Sequence, residues 1–312
     1  MDQKSVTTKT PGPQGLLALN DTQQMMFAFG DCRRPNIETA RIVETVVLSQ
    51  MTEIVHRAAE VSHNRGYKSI QLESILYLMR KSPQKIQRLI KYLGAKEITR
   101  KAKKETDGEA DEGKFRSPVG RCKDFIETID DTGKLLAACN EEYFDEVYVE
   151  RLIRNDRITR KMDNKRYEEF CKARIVNFRG NYSAKFQAAM EDVKSSLELR
   201  VEKTAEDVLS YLSYETLGQL IEMALLLRTE SLPDPVARLV APLAVNPDYP
   251  SILLPTPGEK PETKAELCEH PITPSELREV VRRLQDSEQR DKPLGKQLRY
   301  RRPCSSLPLI AL

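Results

Sequence analysis

Cys32 is the first residue whose surroundings could support chemistry, because two arginines follow it directly. A cysteine acts as a nucleophile in its thiolate form, and neighbouring positive charge favours that form. Catalysis also needs a base, and neither His56 nor His63 lies in a motif that would orient it toward Cys32. We therefore interpret the hexapeptide GDCRRP, residues 30–35, as an elbow between two helices.

Metal and cofactor chemistry lack their usual patterns in this sequence. The six cysteines form no C-x-x-C pair and no short pairing with histidine, so the ligand spacing of a structural zinc site is missing. We also find no glycine-rich phosphate loop and no grouping of nucleophile, base and acid. The sequence predicts a protein that is not an enzyme, with no catalytic residue, no metal, no cofactor and no small-molecule substrate.

Composition favours helices joined by polar linkers. The chain has 312 residues, 39% hydrophobic and 31% charged, with 6% aromatic residues and no tryptophan. A net charge of +3 is too small to indicate nucleic-acid binding by itself. The first residues lack the apolar segment of a signal peptide, and no apolar run is long enough for a membrane span, so we expect no membrane contact.

The strongest periodic signal covers residues 36–64, where apolar residues recur every three or four positions. That spacing predicts one helix of about eight turns, ~40 Å long. Before it, a capping box of Asn20 and Gln23 predicts a short helix that ends at Gly30. After it, the sequence predicts an extended connector, a third short helix, and a fourth helix that begins at Ser82-Pro83.

A similar order returns in the second half of the chain. A candidate short helix covers residues 185–193, and Thr204 with Asp207 predicts the start of a second long helix. Ten of the 18 prolines then lie between residues 233 and 274, which predicts a long extended loop. Thr273-Pro274-Ser275-Glu276 supplies an N-cap, a first-turn proline and an N3 glutamate for a last short helix.

Two short helices cannot cover a long one, so each short-long-short unit leaves an apolar helix face exposed. Pairing the two long helices would bury both faces, and a single chain carrying both units holds them at high effective concentration. We therefore predict an all-α fold, two histone folds in one chain forming an intramolecular head-to-tail pair with a helical connector. The predicted pairing core consists of Val43, Val47, Met51, Ile54, Leu212, Leu220 and Leu227.

Specific stretches carry a family resemblance. The segments MMFAFGDCRRPNIETARIVETVV and RAAEVSHNRGYKSIQLESILYLMRKSPQKIQRLIKYL resemble the first histone fold of the suppressor-of-Ty (Spt-three) subunit family of the SAGA coactivator complex. That fold is in turn similar to TATA-binding-protein-associated factor thirteen of TFIID. Further along, RITRKMDNKRYEEFCKAR and VLSYLSYETLGQLIEMALLLRTE resemble the same family's middle region and second histone fold, and ITPSELREVVRRL resembles the last histone-fold helix of associated factor eleven.

The resemblance implies a non-catalytic nuclear transcription subunit that belongs to a SAGA-type complex and contacts TATA-binding protein. The predicted segments are a disordered tail over 1–19, a first histone fold over 20–97, a charged linker over 98–119, a helical middle region over 120–180, a second histone fold over 181–287 with a proline-rich loop at 231–271, and a basic tail over 288–312.

Glu215 and Glu222 are the residues we predict to bind TATA-binding protein. Residues 204–230 contain five acidic residues and one basic residue, which suits a basic partner. The alternative is that Glu215 faces solvent or pairs within the protein, because a carboxylate between apolar helix positions is costly to bury without a partner. We predict that Glu215→Lys weakens this association and leaves the fold largely intact.

Arg33 and Arg34 define a second hypothesis. They lie in the elbow where histones present arginines to DNA phosphates, so the chain could instead be a DNA-binding histone-fold doublet. The alternative is that both arginines face solvent or a protein. A steep dependence of duplex DNA binding on salt would favour the DNA hypothesis.

Overall fold

The structure is a computed structural model, and the residues that it describes contain eleven helices and two short strands. The described residues are 20–107, 117–140, 144–160, 162–179, 184–197, 199–230 and 270–290. The elements are α1 (Asp21–Ala28), α2 (Ile37–Asn64), β1 (Ser69–Ile70), α3 (Leu72–Met79), α4 (Pro83–Asp107), α5 (Pro118–Ile129), α6 (Lys134–Cys139), α7 (Glu146–Thr159), α8 (Asn164–Ile175), α9 (Ala184–Ser195), β2 (Arg200–Val201), α10 (Lys203–Glu230) and α11 (Pro274–Arg290). No described helix is long and apolar enough to cross a membrane.

Hydrogen bonds from capping side chains determine where the first two helices begin. The Asn20 side chain accepts a hydrogen bond from the Gln23 backbone N–H, and the Gln23 side chain accepts one from the Asn20 N–H. These bonds satisfy helix donors that have no partner within the helix. Gly30 has a φ of 110°, a conformation that side chains disfavour, and Asn36 caps α2 through Glu38 and Thr39. The capping box and the elbow predicted from the sequence are confirmed.

The two longest described helices share one core. Helices α2 and α10 pack against each other, and each is 28 residues long. The predicted core residues all lie in one hydrophobic cluster, in which six of the seven are buried and Leu227 is partly buried. Burying such apolar area contributes roughly 25 cal/mol per Å².

Both ends of the α2–α10 pair are joined by loop contacts. At one end β1 pairs in parallel with β2, with Ser69 opposite Arg200 and Ile70 opposite Val201. At the other end the segment before α11 lies against the elbow. The Asp31 Oδ1 accepts a hydrogen bond from the Ile272 N–H at 3.0 Å, and the Thr39 hydroxyl donates to the Ile272 carbonyl at 2.7 Å.

The middle region, α5 to α8, is attached to the rest of the fold by apolar contacts at two places and by ion pairs. Cys122, Phe125 and Ile126 of α5 join the main core, while Phe170 of α8 packs edge-on against Phe27 with the ring centroids 5.4 Å apart. Arg121 of α5 forms ion pairs with Glu73 of α3 and Glu202, which precedes α10.

Arg228, near the end of α10, fixes the approach to the last helix. Its guanidinium donates to the carbonyls of His270 and Pro271 at 2.7 and 2.6 Å and pairs with Glu276 at 2.6 Å. Thr273 and Glu276 form the predicted capping box, because the Glu276 N–H donates to the Thr273 hydroxyl and the Thr273 N–H donates to the Glu276 carboxylate.

Three predicted boundaries differ from the structure. Helix α4 continues to Asp107, ten residues past the predicted end of the first unit, because residues 98–107 favour helix and Lys101 pairs with Glu97 one turn away. Helix α10 begins at Lys203, so Thr204 lies inside it and does not cap it. Helix α11 extends to Arg290, into the predicted basic tail. The predicted tails at 1–19 and 291–312, and the proline-rich loop apart from 270–271, lie outside the described residues.

Candidate interaction site

Glu222 lies at the centre of a buried ion-pair network between α7 and α10. Its side chain has 0% exposure, and its Oε1 lies 2.7 Å from the Arg151 Nε and 2.6 Å from an Arg154 terminal nitrogen. Both arginines come from α7, three residues apart, so they project from the same face of that helix. A carboxylate can be buried at this position because two cations neutralise it.

Glu215 extends the network by two helical turns along α10. Its carboxylate pairs with Arg151 at 3.0 Å and with Arg88 of α4 at 3.2 Å, and its side chain is 12% exposed. Arg88 also contacts Asp145 at 3.3 Å, and Asp145 caps the N-terminus of α7. Arginines from two elements, α4 and α7, therefore converge on two glutamates of α10.

The electrostatics of the network keep its central groups ionised. Burial alone would raise the pKa of Glu222, but Arg151 and Arg154 outweigh it and hold that pKa below its ordinary value. Burial likewise would lower the pKa of Arg151, yet Glu215 and Glu222 raise it above its ordinary value. The network is therefore charged at neutral pH.

An aromatic contact lies directly beside these ion pairs. The Phe29 ring packs against Tyr214 with centroids 4.8 Å apart, and the Arg151 guanidinium carbon lies 5.5 Å from the centre of the same ring. Gly218 allows this approach, because a Cβ there would lie 2.4 Å from a Phe29 ring carbon. The first unit of the chain thus contacts α10 through a ring that only glycine accommodates.

A cleft of about 320 Å³ opens above the network. Helix α7 forms one wall through Tyr148 and Leu152, and Tyr92 of α4 and Tyr211 of α10 line it from the other elements. The rings of Tyr92 and Tyr211 stack with centroids 4.6 Å apart. Their stacking gives the cleft an aromatic lining on a rigid support.

The structure places the predicted partner-binding carboxylates, Glu215 and Glu222, inside the network. Both have arginine partners from within the chain, which is the internal pairing weighed for Glu215 in the sequence. A Glu215→Lys substitution would set a third cation beside Arg88 and Arg151, so it would disturb the fold as well as any partner surface. Direct contact of these carboxylates with a separate protein stays a prediction.

The two elbow arginines differ in environment. Arg33 forms a bidentate pair with Glu169 of α8, with both nitrogen-oxygen distances at 2.8 Å. Arg34 is exposed. Arg33 therefore contacts a protein carboxylate within the chain, which is one of the two outcomes expected for it.

Cys32 and Cys122 are buried free thiols, and burial raises the pKa of Cys122 to about 12. Within the described ranges, no three histidine, cysteine, aspartate or glutamate side chains are grouped so that they could hold a metal ion.

The residues that complete the network were missed in the sequence. Arg88, Asp145, Arg151 and Arg154 lie 57 to 127 residues from their partners, and pairing over such separations leaves no periodic signal. A compositional hint existed, since a basic segment that begins at Arg151 precedes the acidic segment of α10.

Comparison with known proteins shows which families the chain resembles. The family model described as "Transcription initiation factor IID, 18kD subunit" matches residues 17–108. SAGA complex subunit Spt3 of Schizosaccharomyces pombe is 27% identical over 229 residues, which cover 66% of this chain and 71% of the relative. The Drosophila melanogaster Spt3 subunit is 26% identical over 218 residues, covering 68% of this chain and 53% of the relative.

Part of the chain also resembles a shorter protein. Transcription initiation factor TFIID subunit 13 of Dictyostelium discoideum is 38% identical over 87 residues, which are 28% of this chain and 80% of that relative. The match to both kinds of subunit agrees with the motifs identified in the sequence. The chain belongs to the histone-fold family that includes SAGA subunit Spt3 and TFIID subunit 13.

Proposed function

We propose that this chain is a non-catalytic, nuclear subunit of a SAGA-type coactivator complex, that it binds TATA-binding protein, and that it helps to deliver that protein to promoters transcribed by RNA polymerase II. Its architecture in this proposal is an intramolecular pair of histone folds. The observation that carries the proposal is the packing of α2 on α10 with loop contacts at both ends, in a chain whose relatives are named as SAGA and TFIID subunits.

The loop contacts support the pairing of two histone folds. The segment after the first long helix meets the segment before the second through β1 and β2. The segment before the first long helix meets the one that follows the second through Asp31 and Ile272. This reciprocal arrangement is what two similar units produce when they pack in opposite orientations.

Native-state hydrogen exchange tests the pairing. If α2 and α10 form one cooperative unit, their slowest amides should exchange with a common opening free energy. Two distinct opening free energies, with α2 protected after α10 has opened, would contradict the intramolecular pair.

Binding of TATA-binding protein is tested with the full chain and the purified partner by fluorescence anisotropy. We expect Glu215→Gln to weaken binding, with unchanged circular dichroism at the assay temperature. Glu53→Gln, at a partly exposed pair on α2, is the matched control. Absence of binding by the unsubstituted chain would contradict the proposed partner, whereas equal binding by Glu215→Gln would confine that carboxylate to the internal network.

Membership of a complex is tested separately. The tagged chain should recover acetyltransferase-complex subunits from nuclear extract. Recovery of nucleosomes or DNA without those subunits would favour the DNA-binding alternative. In that case binding to duplex DNA should fall steeply with salt, and Arg34→Ala, which alters the exposed elbow arginine, should reduce the slope by about one.

A further inference from the structure

Helix α7 carries exposed apolar side chains that the fold does not use. Phe144, Tyr148 and Leu152 follow at intervals of four residues and are 69%, 50% and 47% exposed. Residues four apart lie on one helix face, so Tyr148 and Leu152 form a stripe on α7, and Phe144 lies two residues before the helix begins. The buried residue within α7 is Arg154, so the helix is attached through a charged side chain while its apolar ones face outward.

The stripe borders the cleft described above. Tyr148 and Leu152 line one side, and Phe29, Tyr211 and Tyr214 line the other parts. The cleft therefore offers a concave apolar surface that continues onto an exposed helix face. Contiguous exposed apolar surface of this kind is typical of protein interaction sites.

The charges around the cleft favour one sign of ligand. Its lining includes five basic residues and two acidic ones. Arg88 and Arg151 pair with Glu215. Lys91 and Arg174 also line the cleft, and both are solvent-exposed. Exposed cations at the edge of an apolar cleft attract carboxylates and steer their approach.

We propose that the cleft between α7 and α10 binds an acidic peptide segment of another protein, with aromatic or aliphatic anchors placed between its carboxylates. The anchors would pack on Tyr148 and Leu152, and the carboxylates would face Lys91 and Arg174. A nucleic acid fits less well, because an exposed leucine has no counterpart in a phosphate backbone and the excess of positive charge is small. Glu215, which we propose to contact TATA-binding protein, also lines this cleft.

The test uses the full chain and a fluorescein-labelled peptide of about twelve residues in which aspartate and glutamate alternate with phenylalanine and leucine. Anisotropy titrations should give saturable binding that weakens with added salt. Leu152→Ala should weaken binding about tenfold, because it removes an anchor contact. Ile37→Ala is the matched control, since Ile37 is 49% exposed at the start of α2 and outside the cleft.

Charge and probe controls complete the test. Arg174→Glu should weaken binding and reduce its salt dependence, because Arg174 is exposed and outside the buried network. The same peptide with lysine in place of its acidic residues should not bind. Equal affinity of the unsubstituted chain and Leu152→Ala, no anisotropy change with the acidic peptide, or tighter binding to a DNA duplex at the same salt would each overturn the proposal.

Discussion

Helices α2 and α7 both pack near α10, yet they are held in opposite ways. Helix α2 buries apolar residues such as Val43, Val47 and Met51 without exposure. Helix α7 buries one residue of its own, Arg154, and reaches α10 through Arg151 and Arg154. Apolar burial is non-directional and contributes most of the folding free energy, whereas buried ion pairs add orientation at little net gain in stability.

This difference shows how α10 can form part of the apolar core with α2 and also hold α7 through ion pairs. The apolar face of α10 specifies which helix it packs against, and its glutamates specify where α7 lies. Because the arginines hold α7, its apolar side chains remain accessible for another molecule.

The largest expected loss of stability comes from a charged substitution in the apolar contact between α2 and α10. Val47→Asp places an unpaired carboxylate where the side chain has 0% exposure, and should cost about 4 kcal/mol or more in the free energy of unfolding. Thermal melts followed by circular dichroism should lose their cooperative transition. Ser49→Asp, on an exposed position of the same helix, should melt like the unsubstituted protein. Loss of the cooperative transition in both variants would show that burial of the new carboxylate does not cause the destabilisation.

Removing a carboxylate from the ion-pair network between α7 and α10 should lower the free energy of unfolding by a smaller amount. The effect should be strongest in α7. Glu222→Gln leaves Arg151 and Arg154 without their shared carboxylate, and removing one partner of a buried pair costs about 3–5 kcal/mol. Urea unfolding gives the total, and hydrogen exchange should show the strongest loss of protection in α7. The partly exposed pair at Glu53 offers the control, because Glu53→Gln should change stability by about 0.5 kcal/mol. Loss of protection in α2 equal to that in α7 would contradict separate roles for the two faces.

Asp31 is a buried carboxylate whose pKa is raised, whereas the pKa of Glu222 is lowered. The contribution of Asp31 to the free energy of unfolding should therefore change with pH in the opposite direction to that of Glu222. Burial raises the pKa of Asp31 to about 6 from 3.8, although hydrogen bonds from the Cys32 and Ile272 N–H groups lower it, as does Arg228, while Glu276 raises it. The folded state therefore binds the proton more tightly than the unfolded state. Its contribution to stability is complete below about pH 4 and is lost as pH rises through about 6.

The variant that isolates this effect is Asp31→Asn, which keeps an oxygen for both backbone donors. The unfolding free energy of Asp31→Asn minus that of the unsubstituted protein should rise by up to about 3 kcal/mol between pH 4 and pH 7.5. Urea denaturation across this range measures the difference. Glu222 has a lowered pKa, so a parallel series with Glu222→Gln should slope the other way; equal slopes would mean that arginine pairing does not distinguish the two carboxylates.

Gly218 lies where the two kinds of contact meet, and its effect should be smaller. Gly218→Ala forces the Phe29 ring away from α10, and such overpacking costs about 1–3 kcal/mol. Gly94→Ala in α4 is the matched control, because the nearest atom to its added Cβ is 3.9 Å away and alanine favours helix. Melting temperatures should fall for the first variant and rise slightly for the second, and the interpretation fails if both rise.

Sequence reasoning succeeded where the determining forces are local. The caps at Asn20 and Thr273 depend on hydrogen bonds within three residues, so their residue types alone indicate the helix starts. The periodicity of α2 likewise indicates which of its faces is buried, because helix geometry fixes which side chains share a face.

The contacts of the ion-pair network could not be predicted from such local patterns. Whether Glu222 faces a partner protein or Arg151 depends on the position of a helix 71 residues away, which no local pattern encodes. The same holds for Gly218, whose role depends on the Phe29 ring. The end of α4 was missed for a different reason: its last turns are charged, and a charged helix without an apolar stripe has the composition of a linker.

The bonds from Arg228 to the carbonyls of His270 and Pro271 hold together the two points between which residues 231–269 are inserted. The fold, and not the insert, therefore fixes the distance that any intervening chain must span. Closing a loop between fixed ends costs only about 0.6 kcal/mol more for each doubling of its length. Evolution could lengthen, shorten or replace this stretch with little effect on the remainder, which makes it a natural place for lineages to diverge while the helices on either side stay constrained.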